Sequence, residues 1–231
     1  MKICGLQKMT LLDYPGKIAC TVFLCGCNFR CPFCHNGELL DTGTEILMDE
    51  AELLAFLSKR RGLLDAVCVS GGEPTLQAGL PELLRKIKEL GYLTKLDTNG
   101  SRPEVLKELV GAGLLDYVAM DIKNCPARYE ETAGAAVQLE KIEQSIRFLL
   151  EAHVDYEFRT TVVAQLHNEA SVAAMGQWVA AFGVKAKRWF VQPFVDRDTV
   201  LFAGLSKPSD VKLTSFVEIL KLYAVDSALR G

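Results

Sequence analysis

No stretch of this 231-residue chain approaches the roughly 18 to 20 apolar residues needed to cross a bilayer, the best being Ala19 to Gly26, so a soluble protein without a membrane partner is expected. The opening Met1-Lys2-Ile3-Cys4-Gly5 lacks the apolar core of a secretory signal, and the eight cysteines do not form the even, dispersed framework of a disulfide-stapled secreted domain. A reducing, cytoplasmic location follows as the expectation. Net charge is also scarce: 26 basic and 29 acidic residues are interspersed and sum to -3, which offers no footprint for a phosphate backbone and makes nucleic acid an unexpected partner. With 49% hydrophobic residues the chain can bury one substantial core, and it is read as a single domain over residues 1–231.

What the chain does have is three cysteines packed into eight residues. Cys27-Asn28-Phe29-Arg30-Cys31-Pro32-Phe33-Cys34 is a C-x3-C-x2-C loop, a spacing that lets three thiolates face one point, as zinc and iron–sulfur sites require. A closed structural zinc site wants a fourth ligand, whereas a cubane of four irons held by three cysteines leaves one iron open to a substrate. The competing reading is a zinc knuckle of Cys27, Cys31, Cys34 and His35, which would make the protein a binding module without turnover. The remaining cysteines, Cys4, Cys20, Cys25, Cys68 and Cys125, have no mutual metal spacing and read as small buried apolar residues.

The turn signal Tyr14-Pro15-Gly16 leads into Lys17 to Cys25, nearly continuous in apolarity and read as a strand buried on both faces, with the cysteine loop at its C-terminal end. A helix is predicted from Met48 to Lys59, capped by Asp49, then a strand at Asp65 to Ser70 ending in Gly71-Gly72-Glu73-Pro74. A helix from Leu80 to Leu90 precedes a strand at Tyr92 to Asp97 that exits through Thr98-Asn99-Gly100. Ser101 is read as the cap of a helix from Pro103 to Ala112, and the next strand, Tyr117 to Ile122, runs into an irregular stretch from Lys123 to Gly134. Leu139, Ile142, Ile146, Leu149 and Leu150 mark a helix; Asp155 to Val163 and Lys187 to Phe194 read as strands around a helix at Asn168 to Phe182, and a last helix spans Ser209 to Val225. Six strands each followed by a helix predict an α/β fold with parallel strands, either an incomplete barrel or an open doubly wound sheet. In either, ligands sit at the strands' C-terminal ends. The cysteine loop, Gly71-Gly72-Glu73, Asp97-Thr98-Asn99 and Asp121-Ile122-Lys123 all fall at those ends. Singly each is an ordinary turn or strand exit; four in successive loops mark one site.

At Cys27, Cys31, Phe33 and Cys34 the chain resembles the radical S-adenosylmethionine (SAM) superfamily, whose cluster loop reads C-x3-C-x-aromatic-C. The flanks Thr10-Leu11-Leu12-Asp13-Tyr14-Pro15-Gly16-Lys17 and Cys34-His35-Asn36 are similar to those of glycyl-radical-enzyme activating proteins, most of all those of anaerobic ribonucleoside-triphosphate reductase. The resemblance runs from about Gln7 to at least Lys123 and implies a partial (β/α)6 TIM-type barrel. It implies a 4Fe-4S cluster on Cys27, Cys31 and Cys34, with SAM on the open iron, cleaved reductively to a 5'-deoxyadenosyl radical that takes a hydrogen atom from a glycine of a partner enzyme. It further implies that Gly71, Gly72 and Glu73 form the loop at the methionyl ammonium, that Lys123 faces the carboxylate, and that Phe33 lies beside the adenine. His35, Asn99, Arg159 and Gln192 join the cofactor-binding set, with an ion pair from Arg159 to Glu157 or Asp155 as the alternative for that arginine. Asp97, Thr98 and Asp121 correspond to residues that hold a monovalent cation. A flavodoxin or ferredoxin-type reductant is expected.

Eleven residues, Gly37 to Leu47, separate His35-Asn36 from the first predicted helix, too few for a ferredoxin-like insert, and with no cysteine after Cys125 an auxiliary-cluster domain is not expected. Where activating enzymes of the pyruvate formate-lyase kind read Asp-Gly-Pro-Gly-x-Arg, this chain has Asp13-Tyr14-Pro15-Gly16-Lys17-Ile18, which bears on the identity of the partner. The alternatives are an activase of a pyruvate formate-lyase-like enzyme, or a small-molecule radical enzyme of the carboxy-deazaguanine synthase type, whose Gly-Glu-Gly signature is missing here.

Overall fold

In the computed structural model, which describes residues 3–41 and 43–230, eight strands stand side by side in chain order. They are β1 (Ile3–Thr10), β2 (Ala19–Leu24), β3 (Ala66–Gly71), β4 (Leu93–Thr98), β5 (Tyr117–Asp121), β6 (Asp155–Val162), β7 (Ala186–Pro193) and β8 (Ala224–Leu229). The six expected strands are β2 to β7. β2 with β3, β3 with β4, β6 with β7 and β7 with β8 pair parallel, and β1 pairs antiparallel with β2. A doubly wound sheet must reverse its strand order at a switch point, and this order never reverses, which is the connectivity of a β/α barrel. Seven helices lie between the strands: α1 (Glu50–Lys59), α2 (Leu80–Glu89), α3 (Pro103–Gly111), α4 (Tyr129–Ala133), α5 (Leu139–Glu151), α6 (Glu169–Ala180) and α7 (Asp210–Lys221). None is long and apolar enough to cross a membrane.

The chain gathers into two compact units. The first comprises Met1–Asn28, Glu38–Thr98 and Glu104–Val118. β2 and β3 are buried on both faces, with Ala19, Cys20, Val22, Val67, Cys68 and Val69 all at zero exposure, as a run of apolar residues without alternation predicts. Burial pushes the Cys20 thiol up to about 12, so it serves as protonated apolar filling. Asp49 accepts from the Glu52 amide while Glu52 accepts from the Asp49 amide, a reciprocal cap that starts α1 where expected. The Tyr14-to-Lys17 turn closes with the Lys17 N–H donating to the Tyr14 carbonyl at 3.2 Å, and Gly16 takes the left-handed φ of 69° that its third position requires. Tyr14 itself is buried against Ala19, Ala66 and Tyr117, with the two tyrosine rings 5.6 Å apart. Those three neighbours are the first residues of β2, β3 and β5, so Tyr14 packs at the strands' N-terminal ends, opposite the ends where the motifs cluster.

The second unit comprises Phe29–Gly37, Asn99–Pro103 and Ala119–Gly231. Ile142, Ile146 and Leu149 of α5 are buried, following the period of the sequence. One face of the β6–β7 ladder is core: Phe158 meets Trp189 edge-on at 5.7 Å, and the Trp189 indole N–H donates to Thr160 Oγ1 at 3.0 Å. The predicted last helix stops at Lys221 instead of Val225, because the Tyr223 carbonyl accepts from the Ala186 amide and draws the chain into the sheet as β8. Trp189 is fully buried, and truncating it to alanine should lower the unfolding free energy by about 3–5 kcal/mol, read from the urea midpoint at constant slope.

Candidate active site

Residues expected in the site fall in both units, and each set is held by backbone contacts within its own unit. In the first, the β2 exit is stitched to its surroundings residue by residue. The Gly26 amide donates to the Leu39 carbonyl at 2.8 Å and the Cys27 amide to the Leu40 carbonyl at 3.0 Å, while the Gly26 carbonyl accepts from the Glu73 amide at 2.8 Å. Gln77 Nε2 donates to the Cys25 carbonyl at 2.7 Å. The glycines at the end of β3 make this possible: Gly71 has a φ of 111°, and a Cβ at Gly72 would overlap the Gly26 carbonyl. Their first demand therefore comes from neighbouring backbone. Glu73, 1% exposed, spends one carboxylate oxygen on three donors, the Thr75 amide at 3.1 Å and the hydroxyls of Thr75 and Thr98 at 2.5 and 2.8 Å. It orders the loop.

Two pairings in this unit lie outside the sequence reading. Asp97 is ion-paired at 2.6 Å with Lys95, a lysine only 1% exposed. Cys4 and Cys25, read from sequence as apolar filling, are joined as a disulfide with Cα atoms 5.8 Å apart, a normal separation for a bridge. The bridge ties β1 to the residue two before Cys27.

In the second unit the Cys34 amide donates to the Cys31 carbonyl at 3.0 Å, closing a turn between the two thiols, and Cys31 and Phe33 are buried at 7% and 4% exposure. Asp121, at the end of β5, is clamped from two sides: Arg159 Nε reaches one carboxylate oxygen at 2.9 Å and Lys123 Nζ the other at 3.0 Å. Glu157, one of the alternative partners for Arg159, carries an ion pair to Arg230 at 2.5 Å. Burial alone would raise the Asp121 pKa, but Arg159 and Lys123 outweigh it and hold the carboxyl down at about 2. The reverse holds for Lys123, which burial would lower and Asp121 keeps charged. Burial pushes the Cys31 thiol up, and the Lys123 ammonium pulls it part of the way back. Gln192 pairs in register with Thr161, two residues from Arg159, so both expected cofactor contacts share the face of the β6–β7 ladder opposite the Trp189 core. Asn99 accepts from the Ser101 amide at 3.0 Å and shapes the loop after β4. The His35 ring stacks on Phe194 with centroids 5.8 Å apart, and its Nε2 is buried without a partner.

The carboxylates expected to hold a monovalent cation are each met by a protein cation, Lys95 at Asp97 and both Lys123 and Arg159 at Asp121, while the Thr98 hydroxyl donates to Glu73. Two further residues support the Lys123 loop. His167 Nδ1 accepts from the Val163 amide at 3.1 Å, which leaves Nε2–H to donate to the Lys123 carbonyl at 2.8 Å. Asn124, fully buried, donates to Thr132 Oγ1 and the Leu166 carbonyl at 2.8 and 2.9 Å. Tyr129, fully buried at the start of α4, has a hydroxyl without a hydrogen-bond partner.

Among the described residues no three histidine, cysteine, aspartate or glutamate side chains are gathered around one point as metal ligands. The donor set nonetheless suits an iron–sulfur cluster. Cys31 and Cys34 flank one turn, Lys123 supplies positive charge to Cys31, and buried polar atoms at His35 and Tyr129 are unmet in the same unit. Since burial keeps the Cys31 thiol protonated, metal binding must release its proton and will weaken as pH falls.

The chain belongs to the radical SAM superfamily, whose pattern it matches over residues 21–178. Members of that family carry a 4Fe-4S cluster and SAM. Along 99% of this chain and 95% of its own length, the protein of Methanocaldococcus jannaschii named "Putative glycyl-radical enzyme activating enzyme" is 32% identical. The pyruvate formate-lyase-activating enzyme of Clostridium pasteurianum is 34% identical over 53% of this chain and 52% of its own. In fold, SuiB of Streptococcus suis bound to S-adenosylmethionine superposes with a TM-score of 0.69 at 14% identity, over 91% of this chain and 52% of that one. This is a radical SAM enzyme of the activating-enzyme kind, which sets aside the zinc-knuckle reading.

Two outcomes follow from the geometry. Gly72→Ala should push the Glu73 loop off Gly26, lowering stability by about 1–3 kcal/mol and reducing iron retained per chain, read by denaturation and iron assay. Because the folded pKa of Asp121 is depressed from 3.8 to about 2, its stabilisation is complete above pH ~4 and is lost as pH falls through ~2; it amounts to about 2 kcal/mol and should vanish from the acid limb of the stability curve in Asp121→Asn.

Proposed function

We propose that this protein is a glycyl-radical-enzyme activating enzyme, and that its partner is an anaerobic ribonucleoside-triphosphate reductase. The observation that carries the reading is the Cys27, Cys31 and Cys34 triad after β2 in a chain that aligns along 99% of its length with a protein named "Putative glycyl-radical enzyme activating enzyme". The reductase is favoured by the Tyr14-Pro15-Gly16-Lys17 variant before β2, and the pyruvate formate-lyase type is the second candidate because such an activase is among the relatives.

When bound, the cluster and SAM supply the electron and the 5'-deoxyadenosyl radical that takes hydrogen from the partner's glycine. The chain's own residues bind, orient and exclude water. Cys27, Cys31 and Cys34 would hold the cluster, leaving one iron for the amino and carboxylate groups of SAM. Gly71 and Gly72 would present backbone to the ammonium, on a loop that Glu73 makes rigid. Lys123 would face the carboxylate, with Asp121 keeping its ammonium charged and aimed. The buried Phe33 would lie beside the adenine, and Arg159 and Gln192, on one face of β6–β7, would contact the ligand's polar groups together with His35 and Asn99. Asp97, Thr98 and Asp121 would present oxygens to a monovalent cation, alongside Lys95 and Lys123. A flavodoxin or ferredoxin-type protein would deliver the electron in the cytoplasm, with neither nucleic acid nor membrane as a partner.

The test is anaerobic reconstitution with iron and sulfide, followed by SAM, reductant and the candidate partner. A doublet of a glycyl radical in the electron paramagnetic resonance spectrum is the expected result, and no SAM cleavage overturns the reading. Cys31→Ala should lose the brown chromophore and all SAM cleavage. Lys123→Ala should keep the cluster but weaken SAM binding by roughly 10- to 100-fold, the value of one charge-assisted hydrogen bond, measured as a dissociation constant.

A further inference from the structure

Lys123 is held at two points. Its ammonium sits 3.0 Å from Asp121, and its carbonyl accepts from His167 Nε2 at 2.8 Å. The residues on either side are stitched to the same neighbour, β6 and the turn that leaves it. The Ile122 amide donates to the Arg159 carbonyl and the Ile122 carbonyl accepts from Thr160 Oγ1, both at 2.9 Å, while Asn124 Nδ2 donates to the Leu166 carbonyl at 2.9 Å. With the Ile122 carbonyl fixed on one side and the Lys123 carbonyl on the other, both peptide planes that meet at the Lys123 Cα are set. The direction of its Cα–Cβ bond is set with them.

The imidazole that completes this arrangement is fixed in turn. It is 2% exposed, and its Nδ1 accepts from the Val163 amide at 3.1 Å, so Nδ1 carries no proton and the ring's one proton is on Nε2. The Leu166 and His167 amides donate to the Val163 carbonyl at 3.1 and 2.9 Å and close the turn beneath the ring. One nitrogen therefore belongs to the histidine's own turn and the other to the neighbouring loop. Holding the turn needs only the acceptor at Nδ1. The donor at Nε2 serves Lys123.

We infer that His167 is a positioning residue for Lys123: its Nε2–H fixes the lysine's carbonyl, and the fixed backbone aims the ammonium that is to meet the carboxylate of SAM. The inference rests on the reading of Lys123 given under the proposed function, and it makes SAM affinity depend on a side chain that acts through the lysine. A lysine released from its backbone anchor has rotamer freedom to lose when it meets a ligand, which weakens binding without removing the charge.

The experiment measures SAM dissociation constants of anaerobically reconstituted variants matched in iron per chain. Glutamine places an amide N–H where Nε2–H stands, whereas asparagine offers an acceptor to the Val163 amide and falls short of Lys123. His167→Gln should bind SAM within about twofold of wild type, and His167→Asn about five- to tenfold more weakly, the value of one neutral hydrogen bond. In a Lys123→Ala background, His167→Asn should cost nothing further, since no ammonium is left to aim. Before SAM is added, hydrogen exchange of residues 122–125 should quicken in His167→Asn and stay at the wild-type rate in His167→Gln. With Lys123→Ala weak in SAM binding, three results overturn the inference and leave the functional reading standing: wild-type affinity in His167→Asn, weakened affinity in His167→Gln, or additive losses in the double variant. If His167→Asn does not fold, His167→Gln decides alone, tight binding supporting the inference and weak binding overturning it. Undiminished SAM affinity in Lys123→Ala overturns the reading of that lysine and this inference with it.

Discussion

A carboxylate held between a guanidinium and an ammonium is the constraint on which the second unit's chemistry depends. Asp121 closes β5, and taking it out of water is costly unless cations accompany it. Arg159 and Lys123 do so on opposite oxygens, and each is fixed in return. Removing either cation would leave a largely buried carboxylate short of a partner. The consequences reach further than the trio. Lys123 eases the burden on the Cys31 thiol, and its carbonyl and backbone are gripped by His167. A cation that must face a ligand is therefore prepositioned by an anion that never needs to touch one.

The first unit solves a different problem with backbone. Its cysteine has to leave a fully buried strand and enter a loop without wandering, and the solution is a ladder of amide bonds from Gly26 and Cys27 to Leu39, Leu40 and Glu73. Such a ladder needs close approach, which is why glycine stands at 71 and 72 and why Glu73 turns its carboxylate inward to threonines. The motif Gly-Gly-Glu reads from sequence as a ligand loop; its geometry shows that much of its composition answers to the neighbouring strand exit.

How much was legible depended on the range of each interaction. β2 and β3 announce themselves by unbroken apolarity, and Asp49 with Glu52 marks the start of α1, because strand burial and helix capping are local properties. β1 and β8 were missed for opposite reasons: Ile3 to Thr10 is an edge of mixed polarity, and Val225 continues the apolar period of α7 past its true end. Missing β1 hid the Cys4–Cys25 bridge, since only antiparallel pairing with β2 brings residues 21 apart together. α4 has five residues, too few for any period to show, so Tyr129 passed as part of an irregular stretch. The charge pairing at Asp121 joins residues 38 apart, and opposite charges at that separation carry no signature of their own. The cysteine triad, by contrast, is dense enough to be read without any of this.

Strands arranged in the order of synthesis give the polypeptide a timetable. Each strand after β1 lies beside the one before it in the sequence, so no partner is farther away than one connection. The three thiols emerge first, whereas Lys123, Tyr129 and Arg159 arrive only with the later segments. The residues that would bind iron are thus made well before the two cations that hold Asp121.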